Sequence, residues 1–303
     1  MSKIYPTDLT DNQWQYIEKT LLLEKRKRKH DLKEIFNGIF YLVKTGCQWR
    51  MLPKEYPKWE LVYYYFRKWS FYEEFDLLLS SLRGIIRLKR GQNKEPSMGI
   101  LDSQSTKWGN NKAPNNIDGN KKVKGIKRHV VVDKNGFLIA VMITVANIHD
   151  SKAASLLMQT LKNLCSSVKT IIADGGYRGQ LAENIRDAFG YVLQVVISGY
   201  KKQGFRPIKG RWVIERTFAW FDNDRRLCRN YEVSFDAAEQ MVKISAIKLR
   251  ERMWCCIKLI PKCRKDSRGV PKGFRGLSET SLVFLSSALP LLWKTVPVVP
   301  FLI

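Results

Sequence analysis

The feature that most constrains the fold is a change of hydrophobic pattern near residue 96. Before it, apolar residues recur at helical spacing, as in Trp14, Ile17 and Leu21. After it, short apolar runs typical of strands alternate with segments typical of helices, and Asn135-Gly136 is a strong hairpin signal. We therefore predict a small all-helical segment followed by an α/β segment with a mixed sheet.

Composition restricts the kind of partner that such a chain can have. The sequence has 53 Lys and Arg against 28 Asp and Glu, which gives a formal net charge of +25. This excess favours a polyanionic partner, above all nucleic acid, although a basic charge can also serve only to keep a protein soluble. A hydrophobic content of 45% supplies a core and argues against disorder.

Cysteine spacing and the apolar segments exclude several classes of protein. The six cysteines form no C-x-x-C pair, which disfavours a zinc site or a disulfide scaffold and suits a reducing compartment. Residues 1–14 lack the apolar core of a signal peptide, and prolines interrupt the apolar residues 281–303. We therefore expect a soluble cytoplasmic protein.

The first 95 residues have features of a DNA-binding domain. The helix predicted over Trp59–Phe71 has a basic, aromatic outer face that includes Arg67 and Lys68. Short helices with such a face suit a helix-turn-helix arrangement. An ordinary helical packing domain with its aromatic residues in the core fits this segment equally well.

Three carboxylates occupy positions that suit metal ligands. Asp102 and Asp174 each follow a predicted strand, where side chains of an α/β sheet converge, and Glu215 lies early in a predicted helix. Carboxylates brought together need a cation, and oxygen ligands favour magnesium or manganese. Two such ions would stabilise the attacking and leaving oxygens of a phosphodiester displacement. Taken singly, each aspartate could cap a turn and Glu215 could form a surface ion pair.

Several ordered segments resemble the DDE transposases of small bacterial insertion sequences, in the IS-four/IS-five superfamily. The three catalytic blocks of that family are similar to residues 100–105, 173–179 and 211–220. Further similarity lies in residues 9–14, 46–50, 119–129 and 146–150, so that the resemblance covers roughly residues 5–250.

The resemblance implies a ribonuclease-H-like catalytic core. Its catalytic and metal-binding residues would be Asp102, Asp174 and Glu215, holding two Mg²⁺ or Mn²⁺ ions. The implied reaction is DNA transposition: endonuclease cleavage at the ends of the element, followed by attack of the freed 3′-hydroxyl on target DNA. The implied partners are double-stranded terminal repeats and target DNA, with a homodimer in the synaptic complex and no membrane. The implied location is the bacterial nucleoid.

Basic residues around the predicted site are expected to contact DNA phosphates. These residues are Lys121, Lys122, Lys124, Lys127, Arg128, Arg211, Arg216, Arg225 and Arg226, with Arg67 and Lys68 in the N-terminal segment. We call Lys121, Lys122, Lys124, Lys127 and Arg128 the lysine-rich strip, and a solvated loop is the alternative explanation for it. The sequence departs from the family signature at two positions thought to contact DNA, where Ile208 replaces a tyrosine and Asp222 replaces a lysine.

These observations predict three segments and leave more than one function open. The segments are a helical DNA-binding domain (1–95), a ribonuclease-H-like catalytic domain (96–252) and an atypical tail (253–303). A frameshift or a lost stop codon could have appended the tail, unless it is a genuine domain. The alternative functions are a catalytically inactive remnant that only binds element-end DNA and a structure-selective nuclease with the same core.

Overall fold

The computed structural model describes residues 5–23, 29–110, 112, 114–177, 180–196 and 211–248, so the predicted tail lies outside the described residues. The described helices are α1 (Asp11–Thr20), α2 (Leu32–Thr45), α3 (Trp59–Phe71), α4 (Glu74–Lys89), α5 (Asp150–Leu164), α6 (Gln180–Phe189), α7 (Trp212–Asp222), α8 (Arg225–Cys228) and α9 (Phe235–Lys248). The described strands are β1 (Met98–Lys107), β2 (Asn116–Ile117), β3 (Lys124–Val132), β4 (Leu138–Val145), β5 (Thr170–Ala173) and β6 (Val192–Val195).

The strands form one mixed sheet, which confirms the predicted α/β class. The order is β2-β3-β1-β5-β6, and β4 pairs with β3. Strand β1 is antiparallel to β3 and parallel to β5, which is in turn parallel to β6. The predicted turn joins β3 to β4 at Gly136, whose φ of +85° suits glycine, and an added Cβ there would lie 2.9 Å from Thr217 Oγ1.

Alternating residues of the central strands enter two cores on opposite faces of the sheet. Leu101 and Val131 pack with helix α5 in one core. Ile100 and Val130, which face the other way, belong to the same core as Phe36 and Trp69 of α2 and α3. The N-terminal helices therefore share a hydrophobic core with the sheet, and the described residues lie in one compact unit.

Local sequence explains the predicted N-terminal helices. Thr10 and Gln13 form a capping box at the start of α1, and Asp31 caps α2. Phe36 packs against Trp69 in the core, with ring centroids 4.3 Å apart. The helix-turn-helix interpretation of this segment stays a prediction.

The C-terminal end of α2 contacts the junction between α7 and α8. Gly46 has a φ of +71°, and an added Cβ would lie 3.1 Å from the backbone carbonyl carbon of Arg225. Lys44 Nζ donates to the carbonyl of Asn223 at 2.8 Å, and Arg226 Nη1 donates to the carbonyl of Cys47 at 3.0 Å. These contacts attach the N-terminal helices to the chain that continues from α7.

Two predicted elements are wrong in their extent. The first strand was expected to stop at Asp102, but β1 continues to Lys107 because its polar half pairs with β3. The sequence pattern predicts that the helix of Glu215 is a long one, running from about Arg211 to Leu227, but in the structure it is broken after Asp222. Buried Asp224 follows the break and accepts hydrogen bonds from Ser245 and Lys248 of α9, a helix that the sequence analysis did not predict.

Helix α9 also caps the edge of the sheet, and this contact should depend on pH. Glu239 accepts a hydrogen bond from the backbone N–H of Ile143 at 2.9 Å, and burial raises the pKa of this carboxyl to about 7. Because the folded pKa exceeds the unfolded value of 4.5, the proton stabilises the fold below about pH 4.5 and this stabilisation is lost as pH rises through 7.

We therefore expect Glu239→Gln, which keeps the acceptor for Ile143, to raise the free energy of unfolding at pH 8 by about 1–3 kcal/mol. Urea unfolding at pH 4 and pH 8 measures this, and the gain should vanish at pH 4. Glu60→Gln, an exposed change on α3, is the control and should show no such gain. An equal effect of Glu239→Gln at both pH values would contradict the prediction.

The described helices include none that is long and apolar enough to cross a membrane.

Candidate active site

The pairing of two parallel strands brings Asp102 and Asp174 together. Ile100 of β1 is in register with Ile172 of β5, and the same step along each strand leads to Asp102 and Asp174. Residues two apart on a strand share a face, so both aspartates project from the same face of the sheet at the same level. Asp102 lies within β1, whereas Asp174 directly follows β5.

Each aspartate is fixed by the backbone that follows it. Asp102 Oδ1 accepts from the N–H of Ser103 at 2.7 Å, and Asp174 Oδ1 accepts from the N–H of Gly176 at 2.9 Å. Burial raises the pKa of Asp102 and the charge of Asp174 raises it further, while the Ser103 N–H and the charge of Arg211 oppose the rise. Two carboxylates with fixed orientation therefore face one small region.

Arg211 places a positive charge between the two aspartates. Its Nη2 lies 3.3 Å from Asp102 Oδ2 and 3.9 Å from Asp174 Oδ2. Arg211 is the residue before α7, so the start of this helix is held against the site.

Glu215 is not gathered with the aspartates. It lies one turn after Arg211, on the same face of α7, but its side chain is exposed and makes no hydrogen bond or ion pair with the described residues. Accordingly, the described residues contain no cluster of three or more acidic, histidine or cysteine ligands. The structure brings together two of the three predicted carboxylates and leaves the third on an adjoining helix face.

The donor set nevertheless fits a divalent cation. Asp102 and Asp174 offer carboxylate oxygens, the ligands that Mg²⁺ and Mn²⁺ prefer, and a guanidinium already lies between them as a stand-in cation.

Two family models match the chain. One, described as "Transposase DDE domain", matches residues 93–248, more than half of the chain. The other, described as "Putative transposase of IS4/5 family", matches residues 9–79. The chain is also 29% identical over 153 residues to a Burkholderia cepacia protein, "Putative transposase for insertion sequence element IS402", with 48% of this chain and 70% of the relative covered. The chain belongs to the IS4/5 family of DDE transposases. The resemblance seen in the sequence is thereby confirmed.

Beside the aspartates of this family member lies the lysine-rich strip. Lys121, Lys122 and Lys124 are exposed, and Lys121 Nζ donates to the carbonyl of Ser103 at 3.0 Å, next to Asp102. Asp118 organises the loop. Although burial opposes it, hydrogen bonds from Ser105 and from the N–H groups of Lys121 and Asn120 lower the pKa of Asp118 to about 2.

Three basic residues expected to contact DNA are instead buried. Lys127 is 5% exposed and forms ion pairs with Asp118 and Asp150, at 3.6 and 3.3 Å. Arg128 is 2% exposed and donates to the carbonyl of Leu227 at 2.7 Å. Arg226 is buried against Glu232 and Cys47. All three side chains are covered by protein in this structure, and their contact with DNA stays a prediction.

The other basic candidates lie nearer the surface. Arg216 lies between the rings of Trp212 and Trp220, 4.4 and 4.5 Å from their centroids, and Arg225 is exposed. Arg67 forms an exposed ion pair with Asp236, and Lys68 lies 5.9 Å from the ring centroid of Tyr65. Of the two departures from the family signature, Ile208 lies outside the described residues, and Asp222 accepts from Gln104 Nε2 at 3.3 Å.

Sequence analysis missed a buried polar group behind the site. Lys127 and His129 project from β3 onto the face of the sheet opposite the aspartates, where Asp150 lies 3.3 Å from Lys127 Nζ and 3.9 Å from His129 Nδ1. Burial lowers the pKa of His129 to about 4. The available signal was the spacing of Lys127 and His129, because side chains two residues apart on a strand project from the same face of a sheet.

Proposed function

We propose that this transposase cleaves DNA at the ends of its insertion sequence and joins the freed 3′-hydroxyl to target DNA. The observation that carries the proposal is the convergence of Asp102 and Asp174, each two residues beyond the paired Ile100 and Ile172, on the guanidinium of Arg211. It supports a ribonuclease-H-like catalytic core over residues 96–252, in which Asp102, Asp174 and Glu215 are the catalytic carboxylates.

In this proposal the three carboxylates would hold two Mg²⁺ or Mn²⁺ ions. Bound there, the ions would supply charge stabilisation for the attacking and leaving oxygens of the phosphodiester. The two aspartates orient their oxygens through the N–H groups of Ser103 and Gly176. Glu215 completes the set only if its side chain turns from solvent toward Asp102, because it is exposed in this structure.

The surface beside the site supports DNA binding. Lys121 reaches the residue next to Asp102, whereas Lys124 lies over the ring of Trp108 at the far end of β1, so a bound phosphate chain would run along β1 from Lys124 to the carboxylates. We propose that Lys121, Lys122, Lys124, Arg216 and Arg225 contact phosphates there, and that residues 1–95 act as the DNA-binding domain through a face that includes Arg67 and Lys68. Joining two element ends requires a homodimer on terminal repeats, acting on DNA of the bacterial nucleoid.

An inactive remnant that only binds element ends is the second candidate. The observation that favours it is Asp222, which puts a negative charge beside Gln104 where the family signature has a lysine. It would weaken contact with a phosphate at that position.

One assay separates the two candidates. Purified full-length protein is incubated with Mg²⁺ or Mn²⁺ and DNA that carries the terminal repeats flanking the reading frame. The proposal expects cleavage at the repeat ends, none in EDTA, and none with Asp174→Ala. Binding without cleavage in the wild type would establish the inactive remnant. Cleavage that ignores the repeats would indicate a structure-selective nuclease.

The lysine strip gives a further prediction. We expect the triple change of Lys121, Lys122 and Lys124 to alanine to weaken DNA binding and to reduce the slope of log affinity against log salt by about 2–3, close to one unit per lost phosphate contact. Fluorescence anisotropy at several salt concentrations measures this slope. Lys162→Ala, an exposed lysine on α5, is the control. An unchanged slope for the triple variant would place the DNA elsewhere.

A further inference from the structure

The contact of Arg211 with the aspartates is unusual in its geometry. A single nitrogen, Nη2, faces one oxygen of each carboxylate, at 3.3 and 3.9 Å. A forked guanidinium–carboxylate pair would use two nitrogens for one carboxylate. Here one nitrogen faces two carboxylates, which is the arrangement of a cation shared by two ligands.

Within the described part of the chain, the guanidinium has few other partners. Arg211 Nε is buried and has no hydrogen-bond partner among the described residues. Among those residues, Arg211 is also the only cation within ion-pair distance of Asp102 or Asp174. Charge attraction to the two aspartates therefore holds this side chain, and a stronger cation at the same place would displace it.

The position of Arg211 links such an exchange to Glu215. Arg211 immediately precedes α7, and Glu215 follows one turn later on the same helix face. The face that now presents a positive charge to the aspartates thus also carries the proposed third carboxylate. Once the guanidinium leaves, the repulsion between Asp102 and Asp174 favours a new cation at the same place, which Glu215 is positioned to help bind.

We propose that Arg211 is a positioning residue that acts as a placeholder cation, keeping Asp102 and Asp174 together until a divalent ion replaces it. This inference rests on the proposed metal-dependent function. Arg211 and the ion compete for the same two carboxylates, so the protein alone binds divalent ions weakly. A DNA phosphate offers the displaced guanidinium another anion, so DNA should strengthen ion binding.

Manganese titration of the full-length protein without DNA tests the competition. Binding of Mn²⁺ is measured by calorimetry or electron paramagnetic resonance for the wild type, Arg211→Gln, Arg211→Lys and Asp174→Ala. We expect Arg211→Gln to bind Mn²⁺ about 10-fold more tightly than the wild type, because the ion no longer has to displace a charged guanidinium; this factor is of the order found for coupled binding events. Arg211→Lys keeps the charge and should stay near the wild type.

Melting temperature provides a second readout, which does not depend on activity. In EDTA, Arg211→Gln should melt below the wild type because its aspartates repel, and Mn²⁺ should raise its melting temperature more than that of the wild type. If this variant folds only with Mn²⁺, the inference is supported. If the glutamine variant folds neither in EDTA nor with Mn²⁺, Arg211→Met replaces it in the titration and in the melting measurement. Methionine keeps the aliphatic part of the side chain and removes its charge.

Two results would overturn the inference, and they differ in meaning. The first result is that the charge-free variants bind Mn²⁺ no more tightly than the wild type, while Asp174→Ala loses this binding. This result would reject the placeholder and keep the metal site. The second result is that neither the wild type nor the charge-free variants bind Mn²⁺ in a way that depends on Asp174. This result would reject the metal site and, with it, the placeholder.

Discussion

Glu215→Gln is expected to abolish repeat-end cleavage, with a loss of about 1000-fold or more, while leaving the melting temperature unchanged. The side chain is exposed and makes no hydrogen bond or ion pair with the described residues, so the fold does not depend on its charge. Loss of an outer partner of a metal ligand usually costs 10–100-fold, and loss of a proposed ligand itself should cost more. Cleavage assays and thermal melting on the same preparation measure both quantities.

A matched control comes from Glu183→Gln, which changes another exposed glutamate, on α6, and should retain full cleavage. DNA binding by the Glu215 variant, followed by gel shift, should persist. If this variant cleaves within 10-fold of the wild type, Glu215 is not a ligand. Asp222, on the same helix and bonded to Gln104, would then be the next carboxylate to replace.

We expect Asp133→Ala to lower the free energy of unfolding strongly, because it removes a buried carboxylate that is paired with a buried arginine. Asp133 is fully buried after β3, its Oδ2 lies 2.7 Å from Nη1 of buried Arg87, and its Oδ1 accepts from the N–H groups of Asn135 and Phe137. Removing the carboxylate leaves a buried guanidinium and two backbone donors without their acceptor. We expect a loss of about 3–5 kcal/mol in the free energy of unfolding, measured by urea denaturation.

The exposed ion pair between Lys33 and Asp11 serves as the comparison, and Asp11→Asn should change the unfolding midpoint little. Replacing both buried partners, in Arg87→Met with Asp133→Ala, should recover part of the loss because no unpaired charge remains. A loss below about 1 kcal/mol for Asp133→Ala alone would mean that water or another group satisfies Arg87.

Local signals were sufficient for some parts of the site. An apolar run followed by Gly175-Gly176 placed Asp174 directly after a strand, and the glycine turn supplies the N–H that orients it. The same reasoning ended β1 too early at Asp102, because Ser103 and Gln104 are polar. What extends the strand is its pairing with β3, a partner distant in sequence that no local pattern reveals.

The local sequence also could not predict which charged side chains are buried. Lys127 and Arg128 stand in a lysine-rich run and were predicted to contact DNA, yet their partners come from other segments. A lysine is buried only when a partner neutralises it, and Asp118 and Asp150 do so here. The exposed side chain of Glu215 likewise depends on how α7 packs, since spacing indicates only its helix face.

The shared core beneath the sheet bears on how members of this family could be recombined. Phe36 and Trp69 pack with Ile100 and Val130, and Arg226 is bonded to the end of α2. A chimera that joins residues 1–95 of one transposase to the catalytic segment of another would replace half of a packed interface with unmatched side chains. The N-terminal helices and the α/β segment are thus inherited as one packed unit, and variation in either is better tolerated as substitution on the surface than as exchange of whole segments.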